Sequence, residues 1–94
     1  MAIITTSRNP SRETRKTARE IAKKFSLNYF NRSKKAIYHV IEKARFLGEK
    51  WVVVVNEKEE KPDSFQMILV TATGFSYGPL FSQREELESH LRKG

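Results

Sequence analysis

The run Trp51-Val52-Val53-Val54-Val55 constrains the fold more than any other stretch of the chain. Consecutive β-branched residues are stiff at the first side-chain torsion, which favours extended backbone over helix. Apolar and polar positions do not alternate here, so both faces of the strand are expected to be buried. That places it in the middle of a sheet covered by helices. Two segments supply the helices. Ala18, Ile21, Ala22 and Phe25 recur at helical spacing, and Ile37, Val40, Ile41 and Ala44 follow an i, i+3, i+4, i+7 pattern that Gly48 can stop.

The remaining elements fall between these. Ile3 to Thr6 is a short β-branched run and reads as a first strand. Asn9 or Ser11 can cap the first helix, and Pro10 suits a first helical position. Leu27 to Phe30 is a short second strand, after which Asn31 or Ser33 can cap the second helix. Beyond the valine run, polar Asn56 to Asp63 reads as a loop and Phe65 to Thr71 as a strand returning antiparallel. Gly74 to Pro79 carries turn residues, and Gln83 to Arg92 closes as a short helix with Leu87 and Leu91 inward. The predicted order is β-α-β-α-β-β-α. It is an α/β fold, α+β by a stricter definition: a mixed sheet with flanking helices in one domain spanning residues 1–94.

Charge is the first functional clue. The net charge is +7. Residues 1–50 hold 13 Lys+Arg and 4 Asp+Glu, a net of +9, whereas residues 51–94 hold 5 and 7, a net of −2. A basic half beside a mildly acidic half suggests one surface suited to polyanions. Cysteine is absent, which fits a reducing compartment and leaves no thiolate for catalysis or metal binding. The first residues lack the pattern of a signal peptide and no apolar run reaches membrane-spanning length, so the cytoplasm is the expected location.

At about 100° per residue, Arg12, Arg15, Lys16, Arg19 and Lys23 fall along one flank of the first helix, beside its apolar stripe. Glu13 and Glu20 are the only acids on that helix. Five like charges repel one another, and a polyanion relieves that repulsion while releasing counterions. The turn that leads into the helix adds Arg8 and the hydroxyls of Thr6, Ser7 and Ser11, and a helix N-terminus presents free N–H groups to phosphate. It lacks the glycines and the Gly-Lys-Ser/Thr ending of a nucleotide-binding loop, and ordinary capping explains the hydroxyls equally well. The second strand-to-helix turn repeats the theme with Arg32, Lys34 and Lys35. Tyr29, Phe30 and Tyr38 lie close by and could stack on unpaired bases; core packing suits Phe30 at least as well, and Tyr38, off the apolar stripe, is the better stacking candidate.

Catalytic signals are few. His39 and His90 have no evident partners, and no metal-ligand spacing occurs. Glu57-Lys58-Glu59-Glu60 reads as a solvated loop, and Glu85-Glu86-Leu87-Glu88 as an exposed helix start. Pro62-Asp63 resembles one element of a nuclease motif without the Glu-x-Lys that should follow. The expectation is a non-enzyme with neither cofactor nor metal.

The opening Ile3-Ile4-Thr5-Thr6-Ser7-Arg8-Asn9-Pro10-Ser11, with Thr14-Arg15 next, resembles the start of the Brix domain of ribosome-biogenesis proteins, a family with compact archaeal members. The resemblance continues at Asn31-Arg32-Ser33-Lys34-Lys35, at Lys61-Pro62-Asp63 and at Tyr77-Gly78-Pro79. It implies a fold akin to the anticodon-binding domains of class II aminoacyl-tRNA synthetases. It also implies binding to ribosomal RNA or its precursor during subunit assembly and processing, with assembly proteins as further partners. By position, Ser7, Arg8, Ser11, Arg12, Arg15, Arg32 and Lys34 would be contacts, with Gly78 and Pro79 shaping a third turn. Three departures stand out. Ser33 replaces a family glycine, Leu80 stands where a threonine is common, and the chain resembles only the N-terminal half of a domain that usually has two similar halves. A half domain is expected to expose surface that a second copy or another protein covers. Two other readings stay open: a protein-interaction module docking an acidic partner, and an anticodon-type tRNA-binding module.

Overall fold

The valine run is the central strand. In the structure, a computed structural model describing residues 2–93, the elements follow as β1 (Ala2–Thr6), α1 (Arg12–Phe25), β2 (Asn28–Tyr29), α2 (Ile37–Leu47), β3 (Trp51–Lys58), β4 (Lys61–Val70), β5 (Phe75–Phe81) and α3 (Arg84–Lys93). The strands form one mixed sheet in the order β2-β1-β3-β4-β5. β1 runs parallel to both β2 and β3, while β4 and β5 return antiparallel. Because β3 is covered on both sides, its residues divide between two apolar layers. Val53 and Val55 join Ile4, Phe65 and Met67 beneath Ala18, Ile21 and Ala22 of α1 and Leu87 of α3. Val52 and Val54 join Ile3 and Ile68 beneath Val40, Ile41 and Ala44 of α2. The apolar stripes read from the sequence are therefore the buried faces of the helices.

Several local expectations are corrected. Asn56 to Asp63 is not a loop, since β3 and β4 pair as far as Lys58 and Lys61. The connection is the two-residue turn Glu59-Glu60, with φ of 54° and 64°. Two positive φ angles mark the tight turn whose twist matches a hairpin, a geometry that normally selects Asn-Gly and here is filled by two glutamates. Gly74 to Pro79 is mostly strand. β5 lies at the sheet edge, where the N–H that proline lacks is not needed by a neighbour. The ladder slips between Gln66 and Ile68, and the Gln66 side chain spans the irregularity by donating to the carbonyls of Met67 (2.8 Å) and Gly78 (3.0 Å). A Cβ on Gly78 would meet Cζ3 of Trp51 at 2.9 Å, so glycine here leaves room for the indole.

Of the two candidate caps, Ser11 caps α1, while Pro10 precedes the helix rather than opening it. Ala36 occupies the start of α2 without a side-chain cap. Ser33 adopts φ of 52°, in the left-handed region that favours glycine. Gly48 ends α2 in the same region, as expected. Glu88 is buried rather than exposed, because α3 packs it against α1. There it accepts from Lys24 Nζ at 2.6 Å and from Arg84 Nε at 2.7 Å, with Arg92 at 3.5 Å. Burial pushes its carboxyl up, but those hydrogen bonds and charges outweigh burial and hold it below the usual carboxylate range.

Candidate nucleic-acid interface

α1 divides its charges between two neighbours. Glu20 and Lys24 face α3 and are paired there with Arg84 and Glu88. Arg12, Arg15, Lys16, Arg19 and Lys23 lie around the helix from them, and none has an ion pair among the described residues. The Arg19 guanidinium sits 5.9 Å from the centre of the Tyr29 ring, so its side of the helix turns toward β2, whereas Lys16 borders a cleft with Glu20, Asp63 and Arg84. Tyr29 is thus committed to α1 and the core edge, and Phe30 packs beneath α2 as expected. All five cations except the half-buried Arg15 are exposed.

The two strand-to-helix turns meet at the same end of the sheet, because β1 and β2 are parallel neighbours. Asn9 N–H donates to the Ser33 carbonyl at 2.8 Å, joining the turns directly. Arg32 reaches back, donating from Nη1 to the Thr6 carbonyl (3.1 Å) and from Nε to the Lys35 carbonyl (2.8 Å). Partial burial lowers its pKa, and the charge of nearby Arg8 lowers it further. Arg8 and Arg32, with Lys34 and Lys35 exposed beside them, make a locally cationic rim at the joined turns. Tyr38 is exposed and stacks on His39 with ring centres 4.2 Å apart.

The hydroxyls tell a different story. Thr6 is buried and its hydroxyl donates to the Ser7 carbonyl at 2.9 Å. Ser11 Oγ accepts from Thr14 N–H at 3.3 Å and donates to the Glu60 carbonyl at 2.9 Å. The Ser11 N–H donates to Glu57 Oε1 at 2.9 Å. A carboxylate from β3 therefore already sits at the N-terminus of α1. Hydrogen bonds from the Thr14 hydroxyl and the Ser11 N–H hold Glu57 below the usual carboxylate range. This residue, read as part of a solvated loop, was not recoverable from spacing, because a hairpin register brings it there. Ser7 Oγ is buried with no hydrogen-bond partner among the described residues. What can meet a polyanion here is thus the long cationic side chains rather than the helix terminus.

Elsewhere, a half-apolar cavity of about 300 Å³ opens between the ends of α1 and α3, lined by Phe25, Leu27, Trp51, Met67, His90 and Leu91 among others. No group of His, Cys, Asp and Glu among the described residues is arranged to hold a metal. Among the described residues, no helix is long and apolar enough to cross a membrane.

No protein-family model and no curated protein matches the chain. Solved structures do. One is Mil, an archaeal Imp4-like protein, 30% identical, with a TM-score of 0.65 over 71% of this chain and 42% of that one. Another is a probable ribosomal biogenesis protein from Aeropyrum pernix K1, 22% identical, with a TM-score of 0.70 over 78% of this chain and 41% of that one. The mixed α+β architecture is the fold they share, and the neighbours are consistent with a Brix-domain-like family. The chain spans about two fifths of the length of each.

Proposed function

We propose that this chain acts in ribosome biogenesis in the cytoplasm, binding ribosomal RNA or its precursor as a structural factor rather than as an enzyme. The observation that carries the reading is the unpaired cations of α1, Arg12, Arg15, Lys16, Arg19 and Lys23, together with Arg8, Arg32, Lys34 and Lys35 at the joined turns. Such a surface follows phosphate backbones through charge and counterion release and tolerates many sequences. Ser7 and Ser11 serve the turn's own geometry more than the ligand. The names of the two structural neighbours support the process, and the span of about two fifths supports reading the chain as one half of a two-half domain.

The test is binding to ribosomal RNA fragments and to duplex DNA across a salt series, with an Arg12→Ala, Arg15→Ala, Arg19→Ala variant beside the wild type. RNA should be preferred, with a log–log salt slope near −0.7 per phosphate contact and a variant slope shallower by about 2. Absence of binding at low salt, or equal binding by the variant, would move the assignment to a module that docks an acidic protein. Strong discrimination among tRNAs would instead favour a tRNA reader.

A further inference from the structure

The two faces of the sheet present opposite surfaces. α1 and α3 cover one with charged helices, while every large apolar side chain exposed among the described residues lies on α2 or β5. The register places three of them together. Phe75, Tyr77 and Leu80 pair with Val70, Ile68 and Gln66, and Ile68 and Val70 belong to the layer beneath α2. All three therefore point to the α2 side. α2 itself is fixed over the β4–β5 turn by Arg45, which donates to the carbonyls of Thr71 and Gly74. Tyr38 lies two turns earlier on the same side of that helix. The result is a trough with β5 as one wall, the Tyr38–Arg45 side of α2 as the other, and Gln66, Ile68 and Val70 as its floor.

Its chemistry restricts the occupant. Residues 64–83 contain no Asp, Glu, Lys, Arg or His, in a chain that is 31% charged. Edge strands usually carry charge to discourage association, and this one carries only Pro79. A polyanion finds only Arg45 in the trough, already engaged by Glu42 and by the carbonyls of Thr71 and Gly74. A charged peptide finds no counter-charge on β5, and Arg45 is already paired with Glu42. An uncharged apolar surface is required, and this chain supplies one.

We propose that the α2–β5 trough is the contact surface between two copies of this chain. A two-fold axis beside β5 sets Tyr77 and Leu80 of one copy against the same patch of the other, an isologous arrangement. It also turns both cationic α1 flanks outward, so that the most basic surfaces of two chains of +7 do not face each other. The area is of the right order. Phe75, Tyr77, Leu80 and Tyr38 are 40%, 69%, 61% and 59% exposed. At roughly 200 Å² for each side chain they offer on the order of 450 Å², against about 800 Å² per partner in a standard interface.

The test is sedimentation and light scattering of the full chain from low to high micromolar concentration. Wild type should approach twice 11.0 kDa, and the dimer should tighten as salt screens repulsion, opposite to the salt dependence expected for RNA. Tyr77→Glu with Leu80→Glu should raise the dissociation constant about a hundredfold with an unchanged circular dichroism spectrum. The substitutions lower the net charge from +7 to +5, which alone would ease association, so the loss reads the patch itself. Tyr38→Glu, on an exposed position of the α2 wall, is a second variant expected to act in the same direction. A wild-type mass of one chain at the highest concentration, or variants that associate as tightly as wild type, would overturn the proposal. The Arg12, Arg15, Arg19 to Ala variant should keep the dimer, so this test and the RNA test fail independently.

Discussion

Gly78→Ala is a substitution whose cost can be worked from two atoms. The added methyl would stand 2.9 Å from Trp51 Cζ3, 3.4 Å from Cη2 and 3.5 Å from the Met67 carbonyl oxygen. Carbon atoms prefer separations of about 3.5–4.0 Å, so the indole has to retreat by more than half an ångström or β5 has to lift. Gly78 does not use the positive-φ region, so alanine brings no backbone strain of its own. Overpacking of this size costs about 1–3 kcal/mol, and the lower half of that range applies because Trp51 borders the cavity near Phe25 and Leu91 and can shift into it. We expect a loss of about 1–2 kcal/mol, or roughly 5–15 °C in Tm for a domain of this size. Phenylalanine lacks the two atoms that clash, so in a Trp51→Phe background the same alanine should be neutral or slightly stabilising. Urea unfolding followed by circular dichroism in both backgrounds gives a coupling energy of about 1–2 kcal/mol. Because Trp51 is the only tryptophan, its emission in Gly78→Ala should also shift as the ring moves. Equal destabilisation in the two backgrounds would refute the steric account.

Other substitutions follow from the ion pairs and the hairpin. Glu88→Gln should cost about 1–2 kcal/mol by urea unfolding, since two charge-assisted bonds are lost while Lys24 and Arg84 stay partly solvated. Glu57 and Glu88 both have folded pKa values below the ordinary one. Their contribution is therefore complete above the unfolded carboxylate value of about 4.3 and lost as pH falls through the lower folded value. The urea midpoint should hold steady from neutral pH to near 5 and drop below about 4.3, less steeply in Glu57→Gln with Glu88→Gln. Glu59→Asn with Glu60→Gly should raise stability by about 1 kcal/mol, because both positions have positive φ; a decrease would show that the glutamates make contacts worth more than the relief.

Signals that depend on burial by a nearby periodic pattern were legible in the sequence. Val52 to Val55 reads as a two-faced strand because nothing polar interrupts it, and Ala18, Ile21 and Ala22 read as a buried stripe because helical geometry alone groups them. Signals set by distant partners were not. Phe75 to Phe81 contains Gly78 and Pro79 and so looks like a turn; only its place at the edge, with Gln66 spanning the slip, makes it a strand. Glu88 looks like a surface acid until α1 brings Lys24 to it from 64 residues away. The cationic flank of α1 is visible on a helical wheel, but its separation from the paired flank depends on where α3 lands. Likewise the engagement of Ser11 by Glu57 and Glu60 depends on the tight hairpin, which the run of acids disguised as a loop.

The position of β1 between β2 and β3 has a consequence for how the chain acquires its structure. β3 and β4 meet through a two-residue turn and can zip locally, whereas β1 gains its full-length neighbour only from Trp51–Val55, far along the chain. Its other neighbour, β2, offers just two residues. During synthesis the first strand and the basic helix after it leave the ribosome with no platform to settle on. They wait until the valine run has followed them out. Closing so long a loop around parallel strands is slow relative to hairpin formation. In pulsed hydrogen exchange during refolding, amides of β3 and β4 should therefore gain protection before those of β1, and β2 should be the last strand to hold its protons.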